Sequence, residues 1–180
     1  MSISYLNLDN KLNDEDFNLL WDMRPSIPNM INMFGKLIEA PRRYKVYGKA
    51  YKFTGMSENI VDDVPAILIP YLEYINTLDE FTYNSVLINW YEGEDYIGFH
   101  SDNEKNLQVG SNIYGISFGQ ERVMRFKNIE TKKNIDYKLE NNSLIVMHYG
   151  CQQIYQHSIL KSKKLIKKRI NITFRCIIYF

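Results

Sequence analysis

The sequence predicts an α+β protein that is mainly β, in which N-terminal helices pack on a β-sandwich or jelly roll. Three observations predict this class. The chain has 180 residues, enough for one domain with a substantial core. Two helical patterns lie in its first part, and from Tyr83 onward short strand-like segments alternate with turn residues. We therefore predict one domain over 1–180, with the helices in 1–82 and the β-sandwich or jelly-roll core in 83–180.

The first helical pattern is LNDEDFNLLWDM. Asn13 or Asp14 is a candidate N-cap, and acidic residues follow in the first turn, where the helix dipole favours them. Phe17, Leu20 and Trp21 fall on one face. We expect this face to pack on the sheet.

The second helical pattern is PAILIPYLEYINTL, with Pro65 near its start and an apolar stripe of Leu68, Leu72 and Ile75. Between the helices, MFGKLIEAPRRYKVYGKAYKFTG contains three glycines and a proline, which predict hairpins and short extended pieces. The strand-like segments that follow are YNSVLINWYEG, SNIYGISFG, RVMRFKN, NIDYKLENNSLIVMH, YQHSIL and RINITFRCIIYF.

Composition indicates an ordinary globular protein, with 45% hydrophobic and 24% charged residues. The formal net charge of +1 does not by itself indicate nucleic acid, although a basic face can be hidden in a neutral total. Cys151 and Cys176 are too few for a disulfide scaffold or an unaided four-ligand zinc site. The polar, acidic start does not resemble a signal peptide, and no apolar run approaches the roughly 20 residues of a membrane span. We expect a soluble, intracellular protein with no membrane partner.

The last strand carries polar side chains where a core is expected. A period of two places Arg169, Asn171, Thr173 and Arg175 on one face and Ile170, Ile172 and Phe174 on the other. A solvent-facing strand would also fit, but the apolar tail of the segment indicates burial on both faces. Buried arginines need anionic partners, and guanidinium groups bind carboxylates through two parallel hydrogen bonds. A dicarboxylate ligand would satisfy both arginines.

The segment VLINWYEG also carries polar side chains where a core is expected. Leu87, Asn89 and Tyr91 share one face, and the buried amide and phenol need hydrogen-bond partners. In DYIGFHSDNE, His100 and Asp102 point the same way if the backbone is extended. Alone, this pair is either a polar turn or two metal ligands.

His157 lies in a third strand, in YQHSIL. Two histidines and one carboxylate form the facial triad of non-haem Fe(II) oxygenases, which leaves positions open for a co-substrate and O2. The competing histidine, His148, precedes Tyr149 and Gly150 at a predicted turn and is given no ligand role.

The order N-x-Y, H-x-D, H and R-x-N-x-T-F-R resembles that of the AlkB family of Fe(II)- and 2-oxoglutarate-dependent dioxygenases. The residues that carry the resemblance are Asn89, Tyr91, His100, Asp102, His157, Arg169, Asn171, Thr173 and Arg175. The segment MFGKLIEAPRRYKVYGKAYKFTG is similar to the nucleotide-recognition region of the animal members that repair double-stranded DNA. The likeness covers about Met33 to Phe180 and implies a double-stranded β-helix core.

The resemblance implies that His100, Asp102 and His157 bind Fe(II), with 2-oxoglutarate and O2 as co-substrates. Arg175 would pair with one carboxylate of 2-oxoglutarate. The rest of the implied co-substrate pocket is Asn89, Tyr91, Arg169 and Thr173, with Asn171 nearby. The implied chemistry is oxidative demethylation of bases such as N1-methyladenine and N3-methylcytosine, which releases succinate, CO2 and formaldehyde.

A methyl group on the Watson–Crick edge is out of reach in a duplex, so the base must be flipped out. By the resemblance, Phe53 stacks on that base beside His100, with Tyr51 close by, and Asn103 and Glu104 lie near it. Phe34 matches a wedge residue that fills the gap in the duplex. Gly35 would allow the tight turn, and Lys36 and Arg42 could hold phosphates. Without the resemblance, Phe34 would also fit as a core aromatic in an ordinary hairpin.

Three positions depart from the family pattern, namely Trp90, Asn103 and Tyr155, and they bear on the substrate rather than on the iron chemistry. We expect a monomer that acts on DNA, with duplex favoured and single strand possible, in a nucleus, a cytoplasm or a viral compartment. The alternatives are an RNA demethylase or protein hydroxylase of the same chemistry, or an inactive nucleic-acid-binding module. The basic segment KSKKLIKKR is either a solvated loop or a phosphate-contacting surface.

Overall fold

The computed structural model describes residues 2–8, 12–33, 35–49, 62–162 and 166–178. The helices in this part of the chain are α1 (Asp14–Asp22), α2 (Ile69–Ile75) and α3 (Cys151–Ile154). The strands are β1 (Ile3–Asn7), β2 (Met30–Met33), β3 (Lys36–Glu39), β4 (Arg43–Gly48), β5 (Ser85–Gly93), β6 (Ile97–His100), β7 (Ile113–Gly119), β8 (Arg122–Asn128), β9 (Asn134–Leu139), β10 (Ser143–Met147), β11 (Tyr155–Ile159) and β12 (Ile166–Arg175).

The strands form two main antiparallel sheets and one hairpin. A six-stranded sheet, called here the large sheet, has the order β1-β10-β7-β12-β5-β4. A four-stranded sheet, the small sheet, has the order β6-β11-β8-β9, and β2 pairs with β3. This is the mainly β, jelly-roll architecture that the sequence predicts. Strands β1 and β4 come from the first 82 residues, so that part of the chain also contributes both edges of the large sheet.

One face of the large sheet packs against the helices. Its apolar side chains, including Ile88, Trp90 and Ile172, form a buried cluster with Leu20 and Trp21 of α1 and with residues of α2. The indole of Trp90 also donates a hydrogen bond to the Leu20 carbonyl oxygen at 2.8 Å. The helices therefore cover the outer face and leave the inner face free to build a site.

Helix α1 begins as the sequence predicts, and the structure resolves its cap. Asn13 is the N-cap, and its side-chain oxygen accepts the Asp16 N–H at 2.8 Å. Helix α2 is shorter than predicted, because only 3-10 helix precedes Ile69. Pro70 explains the difference, since its ring clashes with the carbonyl four residues earlier in a continuous α-helix.

The predicted strand segments are present, with four differences. NIDYKLENNSLIVMH is two strands, β9 and β10, separated by a turn in which Asn142 has a φ of 57°. The sequence analysis did not assign strands to Ile3–Asn7 and Ile97–His100 or a helix to Cys151–Ile154. None of the helices in the described part of the chain has the length and apolarity needed to cross a membrane.

Candidate active site and metal centre

The three predicted metal ligands lie together between the sheets. His100, the last residue of β6, pairs directly with His157 of β11. Asp102 follows in irregular chain, with a carboxylate oxygen 3.6 Å from His100 Nε2 and the other oxygen 4.0 Å from His157 Nε2. One donor atom from each residue lies within 4.8 Å of the other two. The strand pairing thus brings two distant histidines to one point.

A β-bulge in β6 aims His100 at this point. His157 pairs with His100 and Ile159 pairs with Ile97, so β6 has one more residue than β11 over the same interval. An extra residue in one strand re-aims the side chains beside it. All of β6, Ile97–His100, borders the cavity described below, and the irregular pairing sets His100 beside His157.

The electrostatics of the cluster suit a metal ion. Burial opposes ionisation of Asp102, but the Arg175 guanidinium beside it holds the pKa of this carboxyl well below its usual range. Arg175 Nη2 donates to Asp102 Oδ2 at 2.6 Å. Burial lowers the pKa of His157 to about 3 and also lowers the pKa of His100. Two neutral imidazoles and one ionised carboxylate are the protonation states that a metal ion requires of its ligands.

The cluster opens into a cavity of about 760 Å³ between the two sheets. That volume falls in the range of small-molecule pockets. Among the residues that line the cavity are Arg42, Asn89, Tyr91, His100, Asp102, Asn103, Glu104, His157, Arg169, Asn171, Thr173 and Arg175. The structure therefore brings together at one cavity the metal ligands, the whole predicted co-substrate set and three of the predicted substrate residues.

Arg169 is the feature of the cavity that most needs an anion. The side chain is fully buried, its guanidinium lies 5.1 Å from the centre of the Tyr91 ring, and Nη2 donates to Ser117 Oγ at 3.0 Å. Nε and Nη1 have no hydrogen-bond partner among the described residues. Burial lowers the pKa of Arg169 to about 10. A carboxylate entering the cavity would supply the missing acceptor and the missing negative charge.

The other polar side chains of β12 are held in place by neighbours. Asn171 Nδ2 donates to the Ile116 carbonyl oxygen at 3.0 Å, and Thr173 Oγ1 donates to Asn171 Oδ1 at 3.1 Å. The predicted alternation is thus present, because Ile170 and Ile172 are buried in the cluster on the opposite face of the sheet. The polar row of β12 faces the cavity with limited rotational freedom.

Arg42 does not lie at a position from which it could contact a DNA backbone phosphate. It is buried, Nε donates to Asn89 Oδ1 at 2.6 Å, and its guanidinium lies 5.3 Å from the centre of the Tyr44 ring. A backbone phosphate stays in solvent, so this buried guanidinium is badly placed to hold one. The phosphate role expected for Arg42 is therefore corrected to a place in the cavity wall, where Arg42 satisfies the buried Asn89 amide.

The hairpin of β2 and β3 forms one rim of the cavity, through Ile31, Met33 and Ile38. Gly35 has a φ of 78°, the left-handed conformation that favours glycine, and its N–H donates to Asn32 Oδ1 at 3.0 Å. Lys36 is exposed beside it. The predicted wedge Phe34 and the predicted stacking residues Tyr51 and Phe53 lie outside the described residues.

Asn103 and Glu104 line the cavity just beyond Asp102. Asn103 is exposed, whereas Glu104 Oε2 is buried with no hydrogen-bond partner in the described part of the chain. Burial raises the pKa of Glu104 to about 7, with the nearby Asp102 charge adding to the effect. Above that pKa, the ionised Glu104 offers a buried acceptor to a ligand in the cavity.

The sequence analysis missed Ser101 and Gln152. Ser101 Oγ donates to the Tyr155 carbonyl oxygen at 3.2 Å, and Gln152 Oε1 accepts the Asp102 N–H at 3.0 Å. Hydrophobic periodicity does not reveal a side chain whose role is a hydrogen bond to the backbone of another segment. The only available signal was proximity in sequence, since Ser101 lies between two ligands and Gln152 lies five residues before the third.

The third histidine, His148, makes a structural contact and does not belong to the metal-ligand cluster. His148 Nε2 is 2.7 Å from Ser4 Oγ, which ties the N-terminal strand β1 to the end of β10. Of the basic segment at 161–169, Lys163, Lys164 and Leu165 lie outside the described residues, while Lys161 pairs with Glu94 at 2.9 Å. Whether this segment contacts phosphates stays a prediction.

Comparison with known proteins identifies the family to which the sequence is similar. The sequence profile of the 2OG-Fe(II) oxygenase superfamily matches residues 24–175. Over 164 residues, covering 82% of the chain, the sequence is 32% identical to proteins named DNA oxidative demethylase ALKBH2 from Bos taurus and Homo sapiens. The aligned part is 57% and 61% of those relatives' own lengths. The solved structure of OsALKBH1 superposes with a TM-score of 0.61 at 13% identity and 97% coverage of both chains, a likeness of fold.

Proposed function

The chain belongs to the 2OG-Fe(II) oxygenase superfamily, and we propose that it is a DNA repair dioxygenase that demethylates bases of the N1-methyladenine and N3-methylcytosine type. One observation carries the proposal: the His100–Asp102–His157 cluster shares a cavity with the buried guanidinium of Arg169. The cluster supplies a metal site, and Arg169 supplies a site for an anionic co-substrate. The similarity to mammalian proteins named DNA oxidative demethylases supports methylated DNA as the substrate.

The residues of the cluster fit Fe(II), with 2-oxoglutarate and O2 as co-substrates. Their donor set is the two-histidine, one-carboxylate triad, which leaves coordination positions open. When bound, iron supplies the O2 chemistry that hydroxylates the N-methyl carbon while 2-oxoglutarate loses CO2 and becomes succinate. The resulting hydroxymethyl group leaves as formaldehyde, and the base regains its N–H or ring nitrogen.

The protein's own contribution is binding, orientation and exclusion of water. Arg169, resting on Tyr91, would bind one carboxylate of 2-oxoglutarate in the buried part of the cavity. Arg175, already bonded to Asp102, would meet the co-substrate next to the metal. Asn171 and Thr173 lie between the two arginines along β12 and would fix the chain of the co-substrate. The sheets on both sides would exclude water from this end of the cavity, which would strengthen each charge interaction.

The substrate would enter at the rim formed by the β2–β3 hairpin. A methylated base must leave the duplex to reach the cluster, and apolar side chains at this rim would receive it. Phe34 would enter the gap in the stack, and Phe53, with Tyr51 close by, would stack on the flipped base. Asn103 and Glu104 would contact its edge, and the exposed Lys36 would contact a phosphate.

The direct test is incubation of a methylated DNA duplex and the matching single strand with the protein, Fe(II), 2-oxoglutarate and ascorbate. We expect loss of the methyl group together with equimolar succinate and formaldehyde. Methylated RNA and a peptide panel serve as competing substrates. Turnover on RNA or peptide alone would replace the DNA assignment, and absence of succinate release with every substrate would overturn the proposal.

Phe34→Ala is expected to slow demethylation of duplex DNA more than that of single-stranded DNA, because only a duplex needs its stack filled after the base flips. The measurement is kcat/KM on both forms of one oligonucleotide. Leu19→Ala, which removes an exposed apolar side chain on α1, is the matched control and should leave both values unchanged. Equal losses on the two DNA forms would refute a wedge.

Glu104→Leu is expected to lower kcat/KM about tenfold on bases that carry an exocyclic amine, since the base loses a buried, charge-assisted acceptor. N3-methylthymine has a carbonyl oxygen in place of the amine and should lose less. The exposed Glu73 on α2 provides the control Glu73→Leu. A uniform loss on all three bases would mean that Glu104 does not read the amine.

A further inference from the structure

Asp102 is the ligand of the cluster that the sheets do not hold. His100 and His157 are fixed by the pairing of β6 with β11, whereas residues 101–104 belong to no strand. A carboxylate on irregular chain samples more positions than a side chain on a paired strand. Its position must therefore come from individual contacts.

Two hydrogen bonds tie this segment to the stretch immediately before His157. The Asp102 N–H donates to Gln152 Oε1 at 3.0 Å, and Ser101 Oγ donates to the Tyr155 carbonyl oxygen at 3.2 Å. Both partners belong to residues 152–155, which lead directly into His157. The two bonds therefore tie the segment that carries Asp102 to the segment that leads into His157.

The Gln152 amide is held at its other end as well. Its Nε2 donates to Met147 Sδ at 3.3 Å, and Met147 is buried at the end of β10. With the nitrogen engaged by the thioether, the oxygen is directed to the Asp102 N–H. Gln152 is neutral, so it holds the Asp102 backbone without adding charge beside the carboxylate.

We infer that Gln152, assisted by Ser101, is a positioning residue that sets the Asp102 carboxylate for metal binding. The inference rests on the proposed function, because it takes His100, Asp102 and His157 as the metal ligands. Gln152 touches neither metal nor substrate in this role. Arg175 holds Asp102 Oδ2 directly at 2.6 Å, and Gln152 acts by fixing the backbone behind that carboxylate, whose Oδ2 lies 4.0 Å from His157 Nε2. Loss of such supporting contacts typically weakens metal affinity 10- to 100-fold.

The test measures Mn(II) affinity, with Mn(II) as an air-stable substitute for Fe(II), by isothermal titration calorimetry in the presence of 2-oxoglutarate. Gln152→Leu removes the acceptor and should weaken Mn(II) binding about 10- to 100-fold. Gln153→Leu, the same change at the exposed neighbour in α3, is the matched control and should bind as the wild type does. Ser101→Ala should weaken binding less than Gln152→Leu. Gln152→Asn keeps a neutral amide acceptor one methylene shorter and should recover part of the affinity.

Thermal unfolding of the metal-free variants separates positioning from a structural role. We expect the Tm of metal-free Gln152→Leu to match that of Gln153→Leu. Mn(II) affinity in Gln152→Leu equal to that of Gln153→Leu would overturn the inference. So would a lowered affinity that comes with a lowered metal-free Tm and is not recovered in Gln152→Asn. Absence of Mn(II) binding by the wild-type protein would overturn the proposed function and, with it, this inference.

Discussion

His100→Ala is expected to abolish 2-oxoglutarate turnover and metal binding while leaving the fold intact. The side chain supplies one of three ligands, and Asp102 and His157 alone leave an ion with too few protein donors. The His100 ring is partly exposed, and its Nδ1 contacts only the Gly98 carbonyl oxygen, at 2.9 Å, outside the cluster. Its removal should therefore change the free energy of unfolding by less than about 1 kcal/mol.

Succinate release and Mn(II) titration measure the two losses. The control is His148→Ala, which removes a histidine that contacts Ser4 Oγ and not the cluster. This variant should lose a little stability, because the tie between β1 and β10 is weakened, and should keep wild-type turnover. Residual turnover in His100→Ala, or equal inactivation in His148→Ala, would place the metal elsewhere.

Arg169→Met is expected to stabilise the protein without ligands and to weaken 2-oxoglutarate binding. The guanidinium is fully buried, and burial lowers its pKa to about 10, so folding carries a cost in the charged form that a neutral side chain avoids. A lowered pKa means that the folded state binds this proton less tightly than the unfolded state does. At neutral pH, which is below that pKa, the charged guanidinium therefore lowers the free energy of unfolding. Removing it should raise the free energy of unfolding by about 1–3 kcal/mol.

The same substitution removes the charge-assisted hydrogen bonds that Arg169 would make to a carboxylate. Those bonds contribute about 1.5–3 kcal/mol, so KM for 2-oxoglutarate should rise roughly 10- to 100-fold. Thermal unfolding with and without 2-oxoglutarate, together with KM, gives both readouts. Arg125→Met replaces an exposed arginine that binds Asp136 through two 2.7 Å hydrogen bonds, and neither readout should move. An Arg169→Met protein with a lower Tm and an unchanged KM would contradict the assignment.

The sequence predicted most of the buried part of the site because strand periodicity is a local property. Alternation along RINITFRC placed Arg169 and Arg175 on one face and Ile170 and Ile172 on the other, and the structure has this arrangement. The conflict between arginines and an apolar neighbourhood was itself the signal for an anionic ligand. The ordered motif then connected these strands to His100, Asp102 and His157.

The sequence did not predict features that depend on how distant segments meet. Arg42 was expected to contact a phosphate, yet it lies immediately before β4, which pairs with β5, and it bonds to Asn89 of β5. The bulge that aims His100 exists only in the pairing of β6 with β11. Neither feature leaves a trace in the local pattern, because each depends on a register between strands far apart in the chain.

The sequence by itself predicted the mainly β class and the polar faces of β5 and β12, since these follow from side-chain type and period along one segment. The ordered motif added the three candidate ligand residues. The tertiary structure decided how these parts become a site. It set the cavity of about 760 Å³, the bulge that turns His100 inward, and the contacts through which Gln152 and Ser101 hold Asp102. The physical reason is that side-chain chemistry is encoded residue by residue, whereas distances between ligands arise only when strands pair and sheets pack.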